Sequence, residues 1–104
     1  MNIGFVSVWA ERGAGYVTKA YLKILEKNNN VFVYARAGEI MKPIPEWNQE
    51  YVTWGKFLPD TRISWNHFKK WIDKNKLDII FFNEQRDFRI LCQCKLVYPH
   101  VKLG

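Results

Sequence analysis

Cysteine and histidine are scarce in this chain, and no long apolar run is present. No stretch approaches the ~20 consecutive apolar residues that a membrane-spanning helix requires. The run Ile3–Trp9 is too short for the apolar core of a signal peptide, and no basic leader precedes it. These absences give the expectation of a cytoplasmic protein. Cys92 and Cys94 are the only cysteines. Two positions apart on a helix, they point to different faces, so neither a disulfide nor a metal clip is natural, and reduced thiols are expected. His67 and His100 are the only histidines, too few to complete a zinc site. There is no P-loop and no Ser/His/Asp set. No DNA- or RNA-recognition motif is found, and the aromatics fall on apolar stripes rather than between basic residues, which argues against a nucleic-acid partner. Acidic residues are also few, ten against sixteen Lys and Arg, for a net charge of +6. Such a balance describes either a lysine-rich solvated surface or an affinity for phosphates on a nucleotide or a lipid headgroup. Lys69, Lys70, Lys74 and Lys76 form a basic helical face, solvated by default, with peripheral contact at the inner face of a membrane as the second reading.

What is present is apolar and ordered. Hydrophobic residues make up 48% of the 104 positions and aromatics 16%, the balance of one globular domain with a modest core. Three runs are apolar at nearly every position: Asn2–Trp9, Val31–Arg36 and Leu77–Asn83. Continuous runs of that kind belong to central strands of a parallel sheet covered on both faces. A shorter alternating strand is expected at Glu50–Trp54. Helices are expected from about Gly15 to Asn28, with Val17, Ala20, Tyr21, Ile24 and Leu25 inward, and over Ser64–Asn75, with Ser64 as N-cap and Trp65, Phe68, Trp71 and Ile72 inward. A third helix is expected over about Arg86–Tyr98, ended by Pro99. Val101–Gly104 reads as the start of a fifth strand, cut short. Strands alternating with helices give a three-layer, Rossmann-like α/β domain with a parallel sheet.

In such a sheet, ligands bind beyond the carboxyl ends of the strands. The loop after the first strand carries Glu11, Arg12, Gly13, Ala14 and Gly15. Glycines let the backbone approach a ligand, and the following helix start favours an anion. Glu11 could accept hydrogen bonds from sugar hydroxyls and Arg12 could meet a phosphate, or the two form a surface charge pair. Asn83, Glu84 and Gln85 end the fourth strand at the same edge, placed either for a polyhydroxylated ligand or as a helix cap and first turn. A dinucleotide fingerprint is incomplete: its third glycine position is Thr18, and Arg36 stands where an acidic ribose ligand would end the second strand. That disfavours NAD and leaves an NADP-dependent reductase as a minor alternative. His67, among Trp65, Asn66 and Phe68, reads as a structural histidine away from the cleft edge.

The run Ile3-Gly4-Phe5-Val6-Ser7 with Glu11-Arg12-Gly13-Ala14-Gly15-Tyr16-Val17 resembles the opening of family 4 (group 1) glycosyltransferases. Val31–Arg36 followed by Gly38-Glu39, and Leu77–Gln85, are similar to the second and fourth strands of that N-terminal domain. The resemblance implies a GT-B architecture of two Rossmann-like domains across a cleft, of which this chain would be the first part. It implies a retaining transferase that moves a sugar from a nucleotide-diphosphate sugar to a glycan, lipid or small-molecule acceptor, with no metal or other cofactor. Gly13, Ala14 and Gly15 would match the loop that approaches the donor diphosphate and the acceptor. Asn83, Glu84 and Gln85 stand where the family often has a histidine, which this sequence lacks. On this reading the chain is a piece of a longer enzyme, inactive alone and prone to self-association. A stand-alone flavodoxin-like nucleotide-binding or regulatory module is the rival expectation.

Overall fold

The structure is a computed structural model that describes residues 1–9, 13–36, 44–55, 64–83 and 88–104. The described residues form five strands and three helices, in the order β1 (Asn2–Val8), α1 (Gly13–Leu25), β2 (Asn30–Arg36), β3 (Val52–Trp54), α2 (Trp65–Asn75), β4 (Ile79–Phe82), α3 (Phe88–Val97) and β5 (Lys102–Leu103). All strands are parallel, in the order β3-β2-β1-β4-β5. This is the Rossmann order, with the switch point between β1 and β4. It differs from the flavodoxin-like order 2-1-3-4-5.

The side chains of β1 alternate between two cores. Ile3, Phe5 and Trp9 join Val31, Val33, Ala35, Trp47 and Leu22 on the α1 face. Val6 joins Tyr34, Phe68, Trp71, Ile72, Ile80, Ile90 and Cys94 on the face covered by α2 and α3. Two buried faces explain why β1 and β2 are apolar at nearly every position. β4 departs from that expectation. Ile80 is fully buried on the α2/α3 face, but Phe81 on the other face is 37% exposed, because α1 packs chiefly on β1 and leaves an open groove beside β4.

Helix α1 also differs from its expected orientation. Its buried side is Gly15, Thr18 and Leu22, whereas Val17, Ala20, Tyr21 and Ile24 are exposed and Leu25 is half-buried. Periodicity favours the more apolar of two adjacent stripes; the sheet takes the one on which Gly15 and Thr18 permit close contact. The helix starts two residues earlier than expected, so Gly13, Ala14 and Gly15 are its first turn rather than the loop before it. Helix α2 buries Phe68, Trp71 and Ile72 as expected, with Trp65 half-buried. Ser64 has extended N-cap backbone but makes no side-chain capping bond. Helix α3 buries Ile90 and Cys94 and leaves Cys92 exposed, the opposed faces expected of that spacing.

Candidate functional site

The switch point is marked by a chain of polar side chains in an otherwise apolar setting. Ser7, one residue before the end of β1, is fully buried, and its hydroxyl accepts a hydrogen bond from Thr18 Oγ1 at 2.9 Å. Thr18, only 1% exposed on α1, accepts in turn from Asn83 Nδ2 at 3.1 Å. The backbone N–H of Asn83 bonds Val6 C=O at 2.8 Å, so the residue after β4 is tied to β1. Three elements thus converge on Thr18 at the carboxyl edge. Buried hydroxyls need such partners, since an unpaired one costs ~1–3 kcal/mol.

Thr18 occupies the third-glycine position of the dinucleotide fingerprint, where a glycine would let helix and strand pack closely. Here a hydroxyl–hydroxyl bond makes that contact instead. Beside it, between α1 and β4, lies an open groove of about 510 Å³. Phe5, Val17, Tyr21 and Phe81 line most of it, and Thr18 and Asn83 supply its polar groups. Phe5 and Phe81 stack at 5.4 Å to form the floor. A mainly apolar cleft with a few convergent polar groups is the usual form of a small-molecule site.

The other flank is pinned by aromatics. Trp9, directly after β1, donates its indole N–H to Trp47 C=O at 2.6 Å and meets the Trp47 ring edge-on. The Lys19 ammonium sits 3.5 Å from the Trp47 ring centroid and 3.4 Å from Glu46 Oε1. Cation–π and charge contacts thereby hold residues 44–48 against α1. Tyr16, in the first turn of α1, contacts the same Trp47 ring from an exposed position.

Of the residues expected at the site, Gly13, Ala14 and Gly15 open α1 and Asn83 joins the polar chain. The first turn of α1 contains no acidic residue, so nothing there offsets the positive end of the helix dipole. Glu11, Arg12, Glu84 and Gln85 lie outside the described residues, as does the side chain of Arg36. Ser7 and Thr18 join the site without being among its expected residues. Their signal was available as one hydroxyl closing an apolar strand and another on the small-residue stripe of the next helix. His67 lies nearer the ligand edge than expected. It is in the first turn of α2, and its Nδ1 shares a hydrogen bond of 2.8 Å with the hydroxyl of Tyr34, two residues before the end of β2. That engagement agrees with a structural role. Among the described residues no cluster of His, Cys, Asp or Glu could hold a metal ion, and no helix is long and apolar enough to cross a membrane.

No family model, curated protein or solved structure matches this chain. The functional reading therefore rests on the geometry of the carboxyl edge and on the motifs themselves.

Proposed function

We propose that this chain is the acceptor-side, N-terminal part of a retaining glycosyltransferase of the GT-B type. The intact enzyme would move a sugar from a nucleotide-diphosphate sugar to a glycan, lipid or small-molecule acceptor. The observation that carries this reading is the Ser7–Thr18–Asn83 chain at the β1/β4 switch point, beside an open groove and below a glycine-rich helix start. A sheet of this order places ligands at that crevice. The start of α1 offers free N–H groups and partial positive charge to a diphosphate, whose charge grows as it leaves. Asn83 supplies an amide suited to sugar hydroxyls, and the groove accepts an apolar portion of the acceptor. The motif resemblance of the glycine turn and of the fourth strand agrees with this assignment.

The test is an amide-resolved NMR titration of the 104-residue protein with UDP- and GDP-sugars, methyl glycosides and alkyl glycosides. Shifts should concentrate at Gly15, Thr18 and Asn83, and Asn83→Ala should weaken glycoside binding by about fivefold, the loss of one hydrogen bond. No nucleotide-sugar turnover is expected from this chain alone. Shifts at those residues with NADPH or FMN and none with any sugar would defeat the assignment, as would robust turnover without a second domain.

A further inference from the structure

Trp47 is a large buried side chain on a segment that belongs to no strand or helix. Its turn is closed from within. The N–H groups of Trp47 and Asn48 both bond Ile44 C=O at 3.0 Å, and the Gln49 side-chain amide bonds Pro45 C=O at 3.0 Å. The turn is also tied to the end of β3, where Trp54 donates its indole N–H to Asn48 Oδ1 at 2.9 Å. From this base the Trp47 indole meets both ends of the connection between β1 and α1. Trp9, the residue after β1, meets it edge-on with centroids 5.1 Å apart, and Tyr16, in the first turn of α1, with centroids 5.8 Å apart. Lys19 places its ammonium over the same ring. Edge-to-face aromatic pairs and a cation over an indole face are both attractive beyond the area they bury.

These contacts bracket the polar chain of the switch point. Trp9 lies two residues beyond Ser7, and Lys19 adjoins Thr18. The Ser7–Thr18 bond alone fixes α1 to β1 at one point, about which the helix could pivot. Contacts with Trp9 and Lys19 on one braced ring supply the second point. We propose that Trp47 is a positioning residue for the switch-point site. Through Trp9 and Lys19 it sets the register of α1 against β1, and that register keeps the Thr18 hydroxyl within reach of both Ser7 and Asn83. The segment between β2 and β3 thereby controls the Asn83 amide, a role in binding that rests on the reading of that amide as a partner for sugar hydroxyls.

The test reads the Asn83 side chain by NMR in the ligand-free protein. In Trp47→Leu, exchange of the Asn83 side-chain amide with water should speed up about fivefold, the loss of one hydrogen bond. The rate is taken relative to the backbone amides of Ile72 and Ile80, in the core on the other face of the sheet, so that general loosening of the fold cancels. Trp47→Phe, which keeps a ring beneath Lys19, should restore most of the wild-type ratio. Lys19→Met should raise the ratio by a smaller factor, whereas Lys23→Met, an equal charge change on an exposed residue, should leave it unchanged. That pair carries the same test should Trp47→Leu not fold. In a methyl glycoside titration, Trp47→Leu should weaken binding about threefold, and no further in an Asn83→Ala background, because it acts through Asn83. An unchanged ratio in Trp47→Leu and Lys19→Met would overturn the inference even where glycosides bind. So would equal effects of Lys19→Met and Lys23→Met, or additive losses with Asn83→Ala. Failure of every glycoside to bind would defeat the proposed function, while the exchange ratio would still decide the role of Trp47.

Discussion

Thr18 shows most directly how a single side chain joins sheet, helix and site. Its hydroxyl donates a hydrogen bond to Ser7 and accepts one from Asn83, and Thr18 and Ser7 are both buried. Thr18→Val keeps the shape and removes both bonds, leaving buried polar groups that lose a partner. The expected cost is ~1–3 kcal/mol in urea unfolding, with Ser7→Ala nearer ~1 kcal/mol. The double variant should cost less than the sum, because the two residues share one bond. Additivity within error would show that the hydroxyls act independently. Cys94 offers a second residue-scale test. Burial pushes its thiol from 9.0 up to about 11. The Tyr98 hydroxyl is also raised, first by desolvation and then by its hydrogen bond to Asp73. A group whose folded pKa is raised stabilises the fold below its ordinary value and loses that contribution as pH climbs through the folded value. The melting temperature should therefore fall between pH 9.0 and about 11, and Cys94→Ala should flatten part of that fall. Below that window Cys92 should react with iodoacetamide while Cys94 stays protected.

At the scale of elements, the close approach of α2 to β1 depends on Gly4. A Cβ at that position would stand 2.6 Å from Trp71 Cη2 and 2.7 Å from Leu77 Cδ1. Gly4→Ala must therefore push the indole off the sheet, at ~1–3 kcal/mol for overpacking. Trp71→Phe removes the far ring that clashes, and it discards an indole N–H that has no hydrogen-bond partner among the described residues. The pair Gly4→Ala, Trp71→Phe should thus recover much of the stability lost by Gly4→Ala; a double variant as unstable as the sum of its parts would refute this packing account. Legibility differs among elements for related reasons. β1, β2 and the α2 stripe were readable because they are buried on the sides their apolar residues mark. The orientation of α1 was not, because Gly15 and Thr18 give the sheet a close contact that hydrophobicity alone does not report. β4 reads as a two-sided strand, yet Phe81 stays half-open because α1 leaves an open groove beside its outer face. At the carboxyl edge, Asn83 is legible as the polar end of an apolar strand, whereas Gly13, Ala14 and Gly15 read as a loop and are helical. The Ser7–Thr18 bond is not legible, since it depends on the register of a helix against a strand.

For the whole molecule, the imbalance of sixteen basic and ten acidic side chains predicts a stability that depends on salt. A net positive charge repels itself in the compact state, and part of that repulsion can be located. Lys70 and Lys74 are exposed one turn apart on α2, and Lys76 follows them. A like-charge pair at that spacing costs ~0.2–0.5 kcal/mol. Lys70→Glu would replace the repulsion by an attraction in the favourable order, acid before base, a swing of ~0.4–1 kcal/mol. For a domain of this size that is a rise of roughly 2–6 °C in melting temperature at low ionic strength. Raising sodium chloride from about 10 mM to about 1 M shortens the screening length from ~30 Å to ~3 Å. The wild-type protein should then gain stability, and the advantage of Lys70→Glu should shrink towards zero. Salt also acts on apolar hydration, but equally in both proteins, so the difference between their melting curves isolates the Coulomb contribution. A constant difference across the salt series would mean that the substitution acts through helix propensity or packing, and that the positive charge of this domain is too dispersed to limit its stability.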